Sequence, residues 1–172
     1  DRSWSAKLKF AISVSWQLLK IRPKVIFCNH ISLAPLLYIF QLIFNVKYVL
    51  NVYGLEIWSG INYLERRALE SADLIVGDCK HICSYVSKNF QVDSKKLSVI
   101  FDPVDVHTFK PLGIAKAELL LRYGLPDGFY ILTVGRLARN KGHKSVIKAL
   151  PSLPKEAKYL VAGQGPMLNE LL

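Results

Sequence analysis

The segment Ile131-Leu-Thr-Val-Gly-Arg-Leu-Ala-Arg-Asn-Lys-Gly142 predicts a strand, a glycine turn and the start of a helix. The apolar run from Tyr130 to Val134 is typical of a buried strand. A strand that turns through a glycine into a helix gathers backbone N–H groups at one point, which suits a phosphate. Arg136 can hold phosphate oxygens with its planar guanidinium group, and Lys141 adds a mobile charge. We interpret the segment as a phosphate-binding turn; the alternative is a solvated basic turn.

Composition favours a globular chain with an anionic partner. The 172 residues are 51% hydrophobic and carry a net charge of +10, which allows one full core and part of a second. No acidic residue lies between Asp127 and Glu156, so the positive charge around the turn is expected to be uncompensated. That charge comes from Arg136, Arg139, Lys141, Lys144 and Lys148. Nucleic acid is excluded as a partner because no basic–aromatic run, zinc-finger spacing or RNA-binding signature is present.

The cysteines and the first helix bear on location. Cys28, Cys79 and Cys83 are odd in number and lack the spacing of a metal site, so we expect small buried thiols, no metal and no cofactor. The segment Trp4 to Lys24 combines apolar residues with lysines. This pattern fits a core helix better than an interfacial one, although the second remains open. We expect a cytoplasmic protein with peripheral contact to a membrane as a further option.

Strands and helices are predicted to alternate along the first part of the chain. Strands are expected at 24–28, 48–52, 73–76 and 97–101, and helices at 4–24, 32–44, 60–70 and 78–90. Ser32 and Asp78 are candidate helix caps. Tyr53 to Trp58 is predicted to be a loop. The alternation predicts a parallel sheet with helices on both faces.

The segment Asp102-Pro-Val-Asp-Val-His-Thr-Phe-Lys-Pro111 has two prolines and no periodicity, so it is expected to be a linker. The prediction is therefore one domain over residues 1–111 and the start of another over 112–172. In the second, helices are expected at 114–123, 143–150 and from Pro166, and strands at 130–134 and 158–162. The chain begins at Asp1, has Met167 as its only methionine and ends in an apparent helix, so we expect an internal piece of a longer protein.

Four segments together resemble the retaining glycosyltransferases of family 4. Val134-Gly-Arg-Leu with Asn140-Lys-Gly142 resembles the donor-phosphate segment of that family. The other three are Ala72 to Val76, Pro103 to Pro111, and Leu160-Val-Ala-Gly-Gln-Gly-Pro166. The resemblance implies an α/β fold of GT-B type, with two Rossmann-like parallel-sheet domains that are both incomplete in this chain. Residues 1–111 would be the acceptor-side domain without its first strand region, and 112–172 the start of the nucleotide-sugar domain.

The resemblance also implies an activity, the transfer of a sugar from a nucleotide-sugar donor to a glycan or lipid-linked acceptor, with retention of configuration. Arg136 and Lys141 would be catalytic, because they would stabilise the leaving diphosphate in place of a metal. The donor would be bound by Gly135, Arg136, Lys141, Gly163 and Gly165. The acceptor or sugar side would be lined by His30, Tyr53, Gly54, Glu56 and Trp58.

The sequence departs from the family in two places. Asp102-Pro103 replaces an Asn-Gly pair, and Tyr53 stands where a histidine often precedes Gly54. The glycine-rich loop of the first strand and the paired glutamates of the family are not within residues 1–172, so we expect this chain alone to be inactive. The alternatives are a catalytically inactive GT-B scaffold or a nucleotide-binding protein. A dinucleotide oxidoreductase is disfavoured because no Gly-x-Gly-x-x-Gly follows an early strand.

Overall fold

The computed structural model describes residues 2–171 and divides the chain into two compact units, Asp1–Val106 and His107–Leu172. The division falls inside the proline-containing segment that the sequence marks as a linker. The side chains of Arg2, Ser3, Trp4 and Lys7 lie outside the described part, so the prediction for Trp4 is not addressed. Within residues 2–171 no helix is both long enough and apolar enough to cross a bilayer. Leu8, Ile12 and Leu19 of the first helix are exposed, so the preference for a simple core helix was wrong for these residues.

The first unit is a four-stranded parallel sheet with helices in the connections. Its elements are α1 (Arg2–Ile21), β1 (Val25–Cys28), α2 (Ala34–Phe44), β2 (Lys47–Val52), α3 (Gly54–Trp58), α4 (Tyr63–Ser71), β3 (Leu74–Gly77), α5 (Lys80–Asn89) and β4 (Leu97–Val99). The strand order is β1-β2-β3-β4, and all three pairings are parallel. The prediction of a parallel α/β sheet is confirmed.

The helices of this unit do not cover both faces of the sheet, contrary to the prediction. Every connection moves one strand further in the same direction, and right-handed crossovers then place α2, α4 and α5 on one face. Tyr48, Leu50 and Val52 alternate along β2 on that face and are fully buried. On the other face, Val25 and Phe27 of β1 are 55% and 59% exposed. Within the described residues this face is therefore open at β1, whereas Val76 of β3 on the same face is buried.

Three local predictions were wrong in the first unit. The ring of His30, not Ser32, provides the cap, because its Nδ1 accepts the backbone N–H of Ser32 at 3.2 Å at the start of a 3₁₀ turn. Residues 54–58 form the short helix α3 instead of a loop. Cys79 occupies the N-cap of α5, and Asp78 Oδ1 is buried with no hydrogen-bond partner among the described residues.

The second unit repeats the strand–helix–strand pattern. It contains α6 (Lys116–Arg122), β5 (Phe129–Val134), α7 (His143–Ala149), β6 (Ala157–Ala162) and α8 (Leu168–Leu171), with a 3₁₀ turn at Arg139–Lys141. Strands β5 and β6 pair in parallel over their whole length, so that Val134 lies beside Ala162. Both strands were predicted to within one residue, and the carboxyl ends of both lie at the same edge.

Candidate functional site

The loop after β5 and the loop after β6 are joined through their backbones. Gly135 N donates to Ala162 O at 3.0 Å, and Leu137 N donates to Gln164 O at 2.9 Å. Leu137 O then accepts Met167 N at 3.1 Å, and the Leu137 side chain is buried. Because both neighbours of Arg136 are held in this way, its Cα position is fixed.

Gly163 and Gly165 have a structural reason to be glycine. A Cβ at Gly163 would collide with the carbonyl group of Gly135, and a Cβ at Gly165 would lie 2.7 Å from Leu137 N. Since the colliding atoms belong to the backbone, neither contact could be relieved by a side-chain rotation. The two glycines therefore allow the two loops to approach each other. A role for them in donor binding stays a prediction.

Arg136 and Lys141 are two of the exposed cations of this edge. Both side chains are exposed, and within residues 2–171 neither makes a hydrogen bond or an ion pair. Lys144 is different because its Nζ contacts Glu170 Oε1. That hydrogen bond lowers the pKa of Glu170, helped by the charges of Lys144 and Arg139. The expectation of an uncompensated basic cluster was therefore wrong for Lys144, and it holds for Arg136 and Lys141.

His143 belongs to this edge, and the sequence analysis assigned it no role. Its side chain is 1% exposed, and its Nε2 lies 3.2 Å from the carbonyl oxygen of Arg136. Since a carbonyl only accepts, Nε2 carries the proton. Nδ1 lies 2.9 Å from the hydroxyl of Tyr159, which also lies 3.1 Å from Thr133 Oγ1. The imidazole thus links β5, β6 and α7 to the backbone of Arg136. The sequence signal was a polar residue at the first, buried position of an amphipathic helix.

A second polar cluster lies in the first unit, at the carboxyl ends of β1 and β2. His30 Nε2 lies 3.1 Å from Glu56 Oε2, and Glu56 Oε1 accepts the backbone N–H of Tyr53 at 2.8 Å. The Glu56 side chain is only 10% exposed, whereas the His30 side chain is 55% exposed. Because Nδ1 of His30 accepts from Ser32 N, the other nitrogen is the donor to Glu56. His30, Tyr53 and Glu56 are therefore brought together as one group.

Tyr53 is held by Asn51, which in turn contacts Asn29; neither asparagine stood out in the sequence. Asn51 Nδ2 lies 2.9 Å from the Tyr53 hydroxyl and 3.0 Å from Asn29 Oδ1. The signal available in the sequence was a polar residue inside β2 and another directly after β1. The hydroxyl of Tyr53 already accepts a hydrogen bond from Asn51 Nδ2. The side chain of this cluster that is most available to a ligand is therefore the imidazole of His30.

Trp58 and Gly54 do not join this group. The indole of Trp58 folds over Gly54, where a Cβ would lie 2.6 Å from Cζ2. The same ring meets the rings of His81 and Tyr85 on α5, with centroids 5.8 and 6.4 Å apart. Gly54 is thus required by the packing of Trp58, and Trp58 joins α3 to α5.

The environments of the cysteine thiols fit a role in packing. Burial raises the pKa of the Cys28 and Cys83 thiols, so both remain protonated and unreactive at neutral pH. Among the described residues no group of three or more histidine, cysteine or carboxylate side chains is placed to hold a metal ion.

Comparison with known proteins shows which family and which relatives this chain is similar to. Residues 122–172 match the model of the glycosyl transferases group 1 family. Over 101 residues the chain is 31% identical to a protein of Campylobacter jejuni, the N-acetylgalactosamine-N,N'-diacetylbacillosaminyl-diphospho-undecaprenol 4-alpha-N-acetylgalactosaminyltransferase. The aligned residues make up 59% of this chain and 26% of that protein. Over 132 residues it is 29% identical to the GDP-mannose-dependent alpha-(1-6)-phosphatidylinositol monomannoside mannosyltransferase of Mycolicibacterium smegmatis, covering 73% of this chain and 34% of that one.

A solved structure shows the same fold. The Anabaena protein HepE, in complex with UDP, superposes with a TM-score of 0.75 at 15% identity, over 93% of this chain and 44% of that chain. The chain thus spans about a third or less of the curated relatives and under half of this structural neighbour. Its parallel α/β architecture is that of the GT-B glycosyltransferases. The match to the glycosyl transferases group 1 family, over residues 122–172, includes the fixed Arg136 loop.

Proposed function

We propose that this chain is part of a glycosyltransferase that uses a nucleotide-sugar donor, and that its second unit binds the diphosphate of the donor. The observation that carries the proposal is the pair of exposed, unpaired cations Arg136 and Lys141 on a loop fixed at both neighbours of Arg136. Their segment lies inside the match to the glycosyl transferases group 1 family. The anion-binding interpretation of the basic turn and the family match support each other.

The chemistry follows from where charge develops. When the bond between the anomeric carbon and the phosphate oxygen breaks, negative charge grows on the leaving diphosphate. Fixed cations stabilise that transition state more than the ground state, and they need no reorganisation if their backbone is already held. We assign this role to Arg136 and Lys141 and expect no metal. We further propose that the acceptor hydroxyl attacks from the face that the diphosphate leaves, which retains configuration.

For the acceptor we propose a glycan that is carried on a lipid. The names of two relatives give lipid-borne substrates, a diphospho-undecaprenol and a phosphatidylinositol. In this chain the exposed His30 ring, whose two nitrogens are engaged by Ser32 and Glu56, offers a fixed face against which a sugar ring can pack. We place His30, with Tyr53 and Glu56 behind it, on the acceptor or sugar side.

The test is a titration of the isotope-labelled chain with nucleoside diphosphates and the matching nucleosides, followed by NMR at low salt. We expect diphosphate binding that is loose, about millimolar or ~4 kcal/mol, with shifts in residues 135–143. Arg136→Ala and Lys141→Ala should each weaken it at least about tenfold, as loss of a charge-assisted contact implies. Lys155→Ala removes the same charge beside the opposite end of β6 and serves as the control. Equal affinity for nucleoside and diphosphate, or no effect of either site variant, would contradict the proposal.

A further inference from the structure

A serine, a histidine and a glutamate form a continuous chain of polar contacts at the carboxyl ends of β1 and β2. Ser32 Oγ lies 2.9 Å from Nδ1 of His30, and Nε2 of the same ring lies 3.1 Å from Glu56 Oε2. His30 and Ser32 are exposed, whereas the side chain of Glu56 is only 10% exposed. The hydroxyl end of the chain therefore meets solvent, and the carboxylate end is largely buried.

The neighbours of the His30 ring decide which nitrogen carries the proton. The ionised carboxylate of Glu56 only accepts hydrogen bonds, so Nε2 is the protonated nitrogen and Nδ1 keeps its lone pair. Two donors of Ser32 share that lone pair, the hydroxyl at 2.9 Å and the backbone N–H at 3.2 Å. The hydroxyl is the nearer donor, and its proton is the one that the ring can remove. His30 is thus placed as a base for the Ser32 hydroxyl.

Capping of the 3₁₀ turn explains only part of this arrangement. A cap needs an acceptor for the backbone N–H of Ser32, which Nδ1 of His30 supplies. It needs neither a hydroxyl on the same nitrogen nor a carboxylate on the opposite one. Glu56 comes from the helix α3, and its other oxygen accepts the backbone N–H of Tyr53 at 2.8 Å. A nucleophile, a base and a group that orients the base is the arrangement used for covalent catalysis on acyl groups.

The turn that carries the serine is anchored in the core of the first unit. Ile31 is 2% exposed, and Ala34 is fully buried. Leu33 N donates to the carbonyl oxygen of His30 at 3.1 Å, and Cys28 Sγ donates to the same oxygen at 3.3 Å. Groups that are mounted on fixed backbone keep their reactive geometry without reorganisation.

We propose that Ser32, His30 and Glu56 form a nucleophilic site that hydrolyses short acyl esters. Ser32 Oγ attacks the carbonyl carbon of the ester and forms a bond to it, while the hydroxyl proton passes to Nδ1 of His30. The bond between that carbon and the alcohol oxygen then breaks, and the alcohol leaves with the proton from Nδ1. A short acyl group fits because the hydroxyl lies at the surface of the protein.

The second half of the reaction restores the serine. Water attacks the acyl-serine and gives a proton to Nδ1 of His30, the carboxylic acid is released, and Ser32 Oγ takes the proton back. Between the steps the ring carries two protons, and the carboxylate of Glu56 stabilises this cation from 3.1 Å. Ser32 and His30 are catalytic in this scheme, and Glu56 is a positioning residue. The proposal concerns the first unit alone and does not rest on nucleotide binding.

The experiment treats the chain with p-nitrophenyl acetate, follows the release of p-nitrophenol and locates the acetyl group by peptide mass spectrometry. We expect an acetyl group on Ser32 and a release rate at least about tenfold above that of Ser32→Ala, because activation by a general base contributes at least that factor. Ser32→Cys keeps a nucleophile beside the ring and should retain acetyl transfer. Ser152→Ala, which removes an exposed serine of the 3₁₀ turn Leu150–Ser152, is the matched control.

Two further variants test the base and its orientation. His30→Gly should fall to the rate of Ser32→Ala and recover when imidazole is added, which a misfolded chain would not do. Glu56→Gln should slow the release at least about tenfold, because the charge that holds the ring and stabilises its cation is lost. Nitrogen NMR of the His30 ring should show protonation at Nε2 in the wild-type chain and a loss of that preference in Glu56→Gln.

Four results would overturn the proposal. They are wild-type release by Ser32→Ala, acetyl groups on lysines alone, a His30→Gly chain that imidazole does not restore, and a neutral wild-type ring that is protonated at Nδ1. The nucleoside diphosphate shifts of residues 135–143 should persist in all of these variants, so the outcome is separate from that of the proposed function.

Discussion

Replacing His143 by phenylalanine should loosen the Arg136 loop while leaving the first unit unchanged. Phenylalanine keeps a ring of similar size at a position that is 1% exposed. It removes the hydrogen bonds from the imidazole to the Arg136 carbonyl and to the Tyr159 hydroxyl. Both partners keep another bond, because Arg136 O also accepts Ala138 N and the Tyr159 hydroxyl still meets Thr133 Oγ1.

The expected loss of free energy follows from the number of hydrogen bonds removed. Two lost hydrogen bonds, with no group left wholly unpaired, cost about 2 kcal/mol at ~1 kcal/mol each. Amide protons that exchange through opening of this edge should therefore exchange about thirtyfold faster. Tyr159→Phe removes the bond to His143 and the bond to Thr133, so it should have an effect of similar size in free energy. The double variant should cost less than the sum of the two single variants, because they share one bond.

Hydrogen exchange followed by mass spectrometry measures this locally, which matters because the chain has two units and need not unfold in one step. Peptides across residues 133–143 should lose protection, and peptides across β2 should not. Lys148→Ala, on the exposed side of α7, is the control. Unchanged exchange in 133–143, or equal loss in both units, would refute the idea that the imidazole holds the loop.

Further expectations concern packing and pH. Gly163→Ala should lower the free energy of unfolding of the second unit by about 3 kcal/mol, at the upper end of overpacking costs, because its Cβ meets the Gly135 carbonyl. A loss under about 0.5 kcal/mol, measured by urea titration, would argue against the close loop contact. Tyr48→Phe removes a buried hydrogen bond to Ala68 O and should cost about 1 kcal/mol in the first unit, read from the same titration. Burial raises the pKa of the Cys28 thiol, so the contribution of this thiol to the free energy of unfolding is present below the unfolded pKa and is lost as pH rises past about 8.5. For the same reason, alkylation of Cys28 at about pH 8, followed by mass spectrometry, should be much slower in the folded chain than in the urea-unfolded chain. The 172-residue chain alone should transfer no sugar from nucleotide-sugar donors, and chromatographic detection of a glycosylated product would disprove this.

The sequence was most informative where the local pattern is enough. The apolar runs at Phe129–Val134 and Ala157–Ala162 are each bounded by turn residues, and their strands came within a residue of the predicted ends. The turn between β5 and α7 was located from the order of strand, glycine and cations, all of which are neighbours in the chain, and its phosphate-binding role stays a prediction. Such features depend on residues that are close in sequence.

The remaining features depend on partners that are far apart in the chain. Whether helices cover one face or two depends on strand order, which periodicity does not specify. The contact of Glu56 with His30, 26 residues earlier, cannot be read from either local sequence. The pairing of Lys144 with Glu170 crosses the same number of residues. His143 was passed over because its two partners, Arg136 O and Tyr159, become neighbours only after β5 and β6 pair.

The stepwise order of the first sheet bears on how the chain assembles. The three pairings join strands only 22 to 25 residues apart, and none of the four strands described here must wait for a distant one to be inserted between earlier neighbours. Each pairing therefore has a small and similar cost in loop-closure entropy. During synthesis β2 can join β1 as soon as α2 has emerged, and β3 and β4 can add in turn. Each new strand is added beside the strand synthesised before it, so the nascent sheet has one edge at a time that awaits a further strand.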